Sequence, residues 1–459
     1  MNFFRDVANV TMDLNGVERI VFDALGGADN IVVNDLAGTD ANEIVVNLGA
    51  AQGSTAGDGA ADVVNVRGGA AAESIRIANS SAGSVLVSGL EADVRVTGAD
   101  SGNDHLEVRA GAGNDTLDAS GTSQRIQLNL FGEAGDDRII GSAGADFING
   151  GAGIDNVSMG SGNDRFQWNP GEGSDVIDGQ GGFDTHEFNG SAANEIIALN
   201  AGGNDAILTR NVGNIVMNQD NVERVEILGG GGTDSIDIGD LRGTDIREVS
   251  VNLAASASGT TGDGVSDTVS VSGSSRSEII TVTASGDDIA VNGLAQQVQV
   301  SNADVADNLV VRGGGGGDIM TAATVAGTAH VTLDGGAGND ILVAAANGGA
   351  LLGGAGNDLL VGGAGADVLN GGAGHDTLFG GAGDDLFSGD DDLTILDFRA
   401  GAGSDDRIDL RNVSGIDDFG DVLASAHGVF GGTVLDFGDD EITLLGVNAS
   451  QLHADDFLI

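Results

Sequence analysis

The chain of 459 residues contains no cysteine, no lysine and no tyrosine, and has only one proline and one tryptophan. Without cysteine it can form neither disulfides nor thiolate metal sites, and without cysteine or lysine it cannot use thiol or Schiff-base chemistry. No apolar run approaches the ~18 residues that a membrane span requires. The first residues lack an apolar segment preceded by basic residues, so we expect no N-terminal secretory signal.

Positive charge is scarce, because 18 arginines face 56 aspartates and 14 glutamates, for a formal net charge of −52. A charge of this size excludes nucleic acid as a partner and disfavours a compact state without cations, through self-repulsion. A salt-adapted surface is one explanation. The bias towards aspartate placed after glycine favours another, because short carboxylates held by tight turns are good ligands for a hard cation such as Ca²⁺.

Glycine is abundant, with 80 residues, and much of it is arranged with aspartate in units of nine. From Gly335 six units follow one another, and five of them fit G-G-x-G-x-D-x-U-x, where U is a large apolar residue. Four units run without a gap from Gly132 to Gln167, and two more follow after a two-residue insertion. Single related loops begin at Ala110 and Gly313. The period of nine excludes collagen, whose period is three.

The apolar position explains this period. In the stretch GGAGNDLLVGGAGADVLNGGAGHDTLFGGAGDDLF the U residues are Leu360, Leu369, Leu378 and Phe387. Three residues, x-U-x, make a minimal strand whose U side chain points inward, and the six glycine-rich residues before them reverse the chain. Two units therefore make one coil with a thin apolar core, and turns on the same side recur every 18 residues.

Each turn presents one carboxylate and several outward carbonyls, and two stacked turns supply the roughly six to eight oxygens that Ca²⁺ takes. The predicted metal ligands are Asp115, Asp137, Asp146, Asp155, Asp164, Asp175, Asp184, Asp318, Asp340, Asp358, Asp367, Asp376 and Asp385, with the turn glycines Gly132, Gly150, Gly335, Gly353, Gly362, Gly371 and Gly380. The predicted pairs of an aspartate and the next turn on its side are Asp137 with Gly150, Asp146 with Met159, Asp340 with Gly353, Asp358 with Gly371, Asp367 with Gly380, and Asp376 with Gly389.

One unit departs from the pattern. Gly349 stands where an aspartate belongs, so the site that it would share with the Gly362 turn should be weak or empty. Elsewhere, rows of carboxylates without an ion would repel one another, and a core one side chain thick would not offset the entropy of the ordered chain. Calcium binding and folding should therefore be one event.

A longer duplication contains both repeat blocks. Residues 4–66 align with 209–271 at a constant offset of 205, and 28 of 63 positions are identical. We predict β-rich flanks at 1–109 and 191–312, repeat blocks at 110–190 and 313–392, and a C-terminal cap at 393–459. Short β-branched runs separated by turn residues favour an all-β solenoid in the flanks, with a Greek-key sandwich as the alternative. The lead-in before the second copy has no counterpart before the first, which suggests a chain shortened at its N-terminus.

The two blocks resemble the RTX (repeats-in-toxin) family over roughly a third of the chain. The resemblance implies a right-handed parallel β-roll with several Ca²⁺ ions between its turns. The tail, with DRIDL, ITLLGV and a terminal DDFLI, is similar to the C-terminal end of RTX proteins exported by type I secretion. That implies an uncleaved C-terminal signal, contact with the secretion apparatus, and a secreted or cell-surface protein of a Gram-negative bacterium. In the tail we expect a short helix near 417–427 and strands near 433–437 and 441–446.

No enzyme motif is present, because the six histidines form no H-E-x-x-H and there is no G-x-S-x-G. We expect His186 and His375 to be solvated, and Trp168 to be a core residue rather than a sugar platform. The sequence thus favours a secreted, non-enzymatic calcium-binding protein that acts as a surface layer, biofilm matrix or adhesin, with homo-oligomers, lattices, filaments or cell-surface polysaccharide as partners. The alternatives are the non-catalytic calcium module of a larger secreted enzyme, such as an epimerase, and a carbohydrate-binding module.

Overall fold

A computed structural model describes residues 2–5, 10–80, 83–123, 125–325, 327, 329–403 and 406–459. They divide into two compact units, the first comprising 1–189, 202–226 and 243–246 and the second 190–201, 227–242 and 247–459. Both units consist of parallel strands stacked in two sheets, as predicted for a β-roll.

In the second unit the predicted coil is confirmed. Leu342, Leu360 and Leu378 are register partners in one sheet, at steps of 18 residues. Leu369 and Phe387, nine residues away, are partners in the other. All of these U side chains are fully buried. One sheet of this unit contains the strands Ile196–Gly202, Ser235–Ile238, Thr268–Ser272, Asn308–Gly315, His330–Ala337, Ala350–Ala355, Val368–Ala373, Leu386–Ser388, Arg407–Asp409 and Phe457–Leu458. The other contains Glu248–Asn252, Ile279–Ser285, Asp288–Asn292, Gln297–Ser301, Ile319–Thr321, Ile341–Val343, Leu359–Val361, His375–Phe379, Asp392–Ile395, Ala426–Val429, Gly432–Asp436 and Glu441–Leu445.

The first unit is built in the same way. One sheet contains Arg19–Asp23, Glu43–Asn47, Ser74–Asn79, Val85–Ser88, Asp93–Thr97, Thr116–Gly121, Arg138–Ile140, Asn156–Ser158, Val176–Asp178, Asp205–Arg210 and Ile215–Asp220. The other contains Asn30–Val33, Val63–Arg67, His105–Ala112, Gln127–Ala134, Asp146–Ala152, Arg165–Trp168, Thr185–Asn189 and Arg224–Leu228. The remaining strands form two short pairs, Asn2–Arg5 with Val10–Asp13 and Ser161–Gly162 with Gly181–Gly182.

In the residues that the structure describes, the flanks continue the parallel stacking rather than forming a Greek-key sandwich. In the first flank Arg19–Asp23, Glu43–Asn47 and Asp93–Thr97 are parallel neighbours, and in the second Thr268–Ser272 and Asn308–Gly315 are. The coils are longer in the flanks than in the blocks. Val64 and Leu106, which are register partners on neighbouring strands, are 42 residues apart, compared with 18 residues for Leu360 and Leu378. The extra residues form antiparallel strands such as Val85–Ser88.

The tail closes the second unit. Glu441–Leu445 pairs in parallel with Asp392–Ile395, and Phe457–Leu458 pairs with Arg407–Asp409, so the tail extends both sheets. The helix expected near 417–427 spans Phe419–Ser425 and begins at Asp418, whose carboxylate accepts hydrogen bonds from the first turn. The other helical segments in the described ranges are 3₁₀ turns at Val212–Asn214, Ala449–Gln451 and Ala454–Asp456, and no helix there is long and apolar enough to cross a membrane.

Candidate metal sites

The turns before the x-U-x strands share one backbone conformation in most units. In the turn 353–358 the second and fourth residues, Gly354 and Gly356, have φ of 99° and 142°, a region that L side chains rarely adopt. The first residue, Gly353, has ordinary φ but no room for a side chain, because a Cβ atom there would overlap Oδ2 of Asp358 and the carbonyl oxygen of Gly371. The glycines of the motif are therefore required by both backbone angle and close approach.

Hydrogen bonds join the carboxylates of successive turns. The backbone N–H of Asp340 donates to Oδ1 of Asp358 at 2.7 Å, and that of Asp358 donates to Oδ1 of Asp376 at 2.9 Å. We call each such chain of carboxylates on one side of the coils an aspartate row. Each repeat block has two. The rows are Glu73–Asp115–Asp137–Asp155–Asp175 and Asp146–Asp164–Asp184–Glu223 in the first unit, and Glu278–Asp318–Asp340–Asp358–Asp376 and Asp367–Asp385–Asp406 in the second.

The second carboxylate oxygen of most row members is buried and has no hydrogen-bond partner. Asp358 is 3% exposed and Asp318 fully buried, yet Oδ2 of each lacks a donor. The predicted ligands in this state are Asp115, Asp137, Asp155, Asp164, Asp175, Asp184, Asp318, Asp340, Asp358, Asp376 and Asp385. Burying a carboxylate oxygen without a hydrogen-bond donor costs free energy, and a cation bound beside these oxygens would offset that cost.

Burial also holds these groups partly protonated in the absence of a cation. Desolvation, together with the smaller effect of neighbouring carboxylates, raises the pKa of Asp358 and Asp385 to about 6. In the first unit desolvation raises the pKa of Asp164 and Asp175 to about 8. A metal ion would reverse this preference, because its charge favours the ionised carboxylate.

Carbonyl oxygens meet the carboxylates at the first glycine of each turn. The position that a Cβ atom would take on Gly335 lies within 3 Å of both Oδ2 of Asp340 and the carbonyl oxygen of Gly353. The same convergence joins Asp137 with Gly150 at Gly132, Asp358 with Gly371 at Gly353, Asp367 with Gly380 at Gly362, and Asp146 with Met159 at Gly141. These are the aspartate and turn combinations expected from the sequence. For the expected pair Asp376 and Gly389, Oδ2 of Asp376 lies within 3 Å of the corresponding position on Gly371, and the pairing with Gly389 stays a prediction.

Two predicted ligands differ from the others. Oδ2 of Asp146 accepts the N–H of Ser142 at 2.5 Å, and Oδ2 of Asp367 accepts that of Gly363 at 2.6 Å. In these turns the second and fourth residues do not have positive φ. The turn upstream of Asp367 is the one that ends at Gly349, which contributes only a backbone N–H to Oδ1 of Asp367.

The oxygen set fits a hard cation better than a transition metal. Within the described part of the chain, no three His, Cys, Asp or Glu side chains come together as a metal cluster. Each candidate site instead combines one carboxylate per turn with main-chain carbonyls, which are ligands that Ca²⁺ takes readily. The carboxylates of Asp155 and Asp376 have the same placement, because Oδ2 of each lies close to the first glycine of its turn, Gly150 and Gly371 respectively.

Sequence reasoning missed the members of the rows that lie outside the nonapeptides. Glu73 and Glu278 each donate their N–H to the first aspartate of a block, at 2.7 Å. In the first flank Asp62 is fully buried, its Oδ1 accepts the N–H of Asp29 at 2.8 Å, and its Oδ2 has no partner. The sequence could have revealed Glu73 and Glu278. Each is the last residue of a six-residue turn, GGAAAE or GSSRSE, that begins with glycine and precedes an x-U-x strand.

The expectation that His186 is solvated was wrong. Its ring is fully buried beside Phe166 and Phe188, Nδ1 lies 2.9 Å from Oε1 of Gln219, and burial lowers its pKa to about 4. His186 occupies the U position of its nonapeptide, which points inward in the other units. The prediction failed because a polar residue at that position was expected to face solvent. His375 is exposed, as expected, and lies 2.7 Å from Asp392.

Trp168 is a core residue. It is fully buried, stacks on Phe188 with ring centroids 4.4 Å apart, and donates its indole N–H to the carbonyl of Gly173 at 2.7 Å. The two-residue insertion thus accommodates a large side chain inside the roll.

A family model for the RTX calcium-binding nonapeptide repeat, in four copies, matches residues 131–166, 325–347 and 352–393. Comparison with curated proteins gives no match. Among solved structures, the extracellular lipase LipA from Serratia marcescens is 18% identical, with a TM-score of 0.21, over 75% of this chain and 45% of the lipase. The chain spans less than half of that protein, and a superposition of this quality carries no conclusion about activity. The matched segments are thus similar to RTX calcium-binding repeats.

Proposed function

We propose that the chain is a secreted protein without catalytic activity, which folds when it binds several Ca²⁺ ions and serves as an extracellular structural element. The observation that carries this proposal is the set of buried, unpartnered Oδ2 atoms along the aspartate rows. Several of them, such as those of Asp137, Asp340 and Asp358, converge with a carbonyl oxygen of the next turn. In this proposal the predicted aspartates and glycines hold the ions between successive coils.

The energetics of the rows support coupling of folding to calcium. A row such as that of Asp340, Asp358 and Asp376 stacks carboxylates one strand spacing apart, and each is almost fully buried. Their mutual repulsion and desolvation oppose folding, and the core offers one U side chain per nonapeptide against the entropy of ordering nine residues. An ion bound between the turns cancels the repulsion between the carboxylates and supplies the free energy that folding lacks. The ion-free chain is therefore expected to stay largely unfolded.

This coupling suits the proposed route out of a Gram-negative cell. A chain that stays unfolded at low calcium can pass a type I secretion channel and fold outside, where calcium is abundant. The tail, which extends both sheets of the second unit, would then close the roll after export. The similarity of the tail sequence to RTX export regions supports this assignment.

A structural role is supported by an apolar column on the surface of the second unit. Ile279, Ile319 and Ile341 are register partners on adjacent strands and are 66%, 43% and 37% exposed. Leu359 continues the column as a half-buried neighbour. An apolar column on a sheet face can pack against another copy once calcium has reduced the repulsion between chains.

Circular dichroism and light scattering during calcium titration from an EDTA-treated state test the proposal, with magnesium as the control. A cooperative rise of β signal with calcium alone, followed by a rise in scattering, is expected. A protein that is fully folded in EDTA and indifferent to calcium would overturn the proposal. Folding without any growth in scattering would retain the calcium role and reject assembly.

A further inference from the structure

The first carboxylate of each block row differs from the carboxylates that follow it. The rows of the first unit begin at Glu73 and Asp146, and those of the second at Glu278 and Asp367. In all four, the carboxylate accepts a hydrogen bond from the second residue of its own turn. The donors are Gly69 to Glu73 at 3.0 Å, Ser142 to Asp146 at 2.5 Å, Ser274 to Glu278 at 3.4 Å and Gly363 to Asp367 at 2.6 Å.

Serine strengthens this closure in two of the four turns. The Ser142 hydroxyl donates to Oδ1 of Asp146 at 2.8 Å, and the Ser274 hydroxyl donates to Oε1 of Glu278. Both oxygens of these carboxylates are thereby satisfied within the turn. A carboxylate that already accepts a backbone N–H and a hydroxyl has little to gain from an ion.

Backbone conformation separates the same two groups of turns. In the first turns the second and fourth residues, for example Ser274 and Arg276, do not have positive φ. In the turn that follows, Gly314 and Gly316 have φ of 94° and 99°, and Oδ2 of Asp318 has no partner. At Asp146, Glu278 and Asp367 the first turn is thus closed by hydrogen bonds, whereas Oε2 of Glu73 stays buried without a partner, as do the Oδ2 atoms of most later aspartates in the block rows.

Within the repeat blocks, a turn that fits the motif can still be closed when no carboxylate precedes it on its side of the coils. Residues 362–367 read GGAGAD and fit the calcium motif, yet this turn is closed. The turn before it on the same side ends at Gly349 and has no carboxylate.

We infer that the first turn of the rows that begin at Asp146, Glu278 and Asp367 is a metal-free cap, and that calcium in these rows is held from the second turn onward. This inference rests on the proposed calcium function and refines it. Caps of this kind give these three rows an end that is satisfied without an ion, as a capping box does for the first turn of a helix. Each block then presents a preformed first turn on which the next, calcium-dependent turn can be laid.

Neighbouring members of one row provide a matched test in the full-length protein. Native mass spectrometry at saturating calcium counts the bound ions of wild type, Glu278→Gln and Asp318→Asn. Each variant removes one negative charge. We expect the wild-type number of ions in Glu278→Gln and one ion fewer in Asp318→Asn. Loss of an ion from Glu278→Gln, or retention of all ions by Asp318→Asn, would overturn the inference.

A gain of binding provides a second test that does not depend on a destabilised variant. The substitutions Ala344→Gly, Ala345→Gly, Asn347→Gly, Gly348→Asn and Gly349→Asp restore the motif upstream of Asp367. The restored turn becomes the cap and Asp367 becomes the second member, so exactly one additional ion is expected. The same set with Gly349→Asn should add none. No gain with aspartate, or a gain with asparagine, would refute the inference, whereas absence of calcium from the wild-type protein would refute the proposed function itself.

Discussion

The backbone N–H of Asp340 donates a 2.7 Å hydrogen bond to Oδ1 of Asp358, and Oδ2 of Asp358 is left buried without a donor. One oxygen of each interior carboxylate thus fixes the register between coils, and the other is available to an ion. Replacing Asp358 by asparagine should keep the hydrogen bond and remove the charge. We expect the calcium concentration at the folding midpoint to rise at least about tenfold, since even outer-shell partners of a metal contribute that much.

The matched control is Asp384→Asn, which removes the same charge from an exposed position of a neighbouring turn. Calcium titrations followed by circular dichroism compare the two variants. Equal midpoints for Asp358→Asn and Asp384→Asn would show that net charge, rather than ligation, sets the calcium requirement.

Acid should partly replace calcium. The folded state raises the pKa of Asp358 and Asp385 from 3.8 to about 6, and that of Asp164 and Asp175 to about 8. Between about pH 4 and these values the folded chain binds more protons than the unfolded chain, so in EDTA the free energy of unfolding falls as the pH rises. We expect more β signal in EDTA at pH 4.5 than at pH 8. With calcium present, the affinity for calcium should instead be higher at pH 8 than at pH 4.5, because protons and ions compete for the same oxygens. A calcium midpoint that does not change with pH would contradict the raised pKa values.

The thin core makes each U residue important. Leu360 is fully buried between Leu342 and Leu378, so Leu360→Ala should cost roughly 2–5 kcal/mol. Val368→Ala, at an outward strand position that is 42% exposed, should cost much less. Urea unfolding at saturating calcium measures both, and similar midpoints would argue against a core of single U side chains.

Glycine at the first turn position should be irreplaceable for a steric reason. A methyl group on Gly353 would overlap the Asp358 carboxylate and the Gly371 carbonyl, so Gly353→Ala should destabilise the fold by about 1–3 kcal/mol and weaken one ion site. Gly428 has ordinary φ and open space around it, and Gly428→Ala is the control. Calcium counts and urea midpoints for the two variants check this prediction. A Gly353→Ala protein with full calcium content would show that the turn can shift.

Assembly should depend on the apolar column. The triple change of Ile279, Ile319 and Ile341 to threonine keeps a β-branched side chain at each strand position and removes apolar surface. We expect light scattering at saturating calcium to fall several-fold, roughly in step with the apolar area removed, while the β signal is unchanged. Val176→Thr in the first unit alters an outward valine whose neighbours, Asn156 and Asn218, are polar, and should leave scattering as it is. Undiminished scattering in the triple variant would move the search to another surface.

The sequence predicted the repeat blocks well because nearly every constraint there is local. The period of nine placed Leu360, Leu369, Leu378 and Phe387 inside, and the glycines marked the turns. Row membership beyond the blocks could not be read in the same way. Asp62 accepts the N–H of Asp29, 33 residues away, and flank coils vary in length, so no fixed spacing reveals the partner. His186 was misplaced because a polar residue was not expected at an inward position, and its partner, Gln219, comes from a distant strand.

The 18-residue coil also has a mechanical meaning. In the second block each coil occupies one strand spacing of about 4.8 Å along the stack, yet its 18 residues span roughly 60 Å when drawn out. Each coil contacts only its neighbours, so tension would peel the block from an end, one coil at a time. Every step would release stored length and free the ions at the departing turn, and relaxation in calcium would wind the coil back. If folding is coupled to calcium as proposed, the block would act as a reversible spring whose stiffness depends on the surrounding calcium.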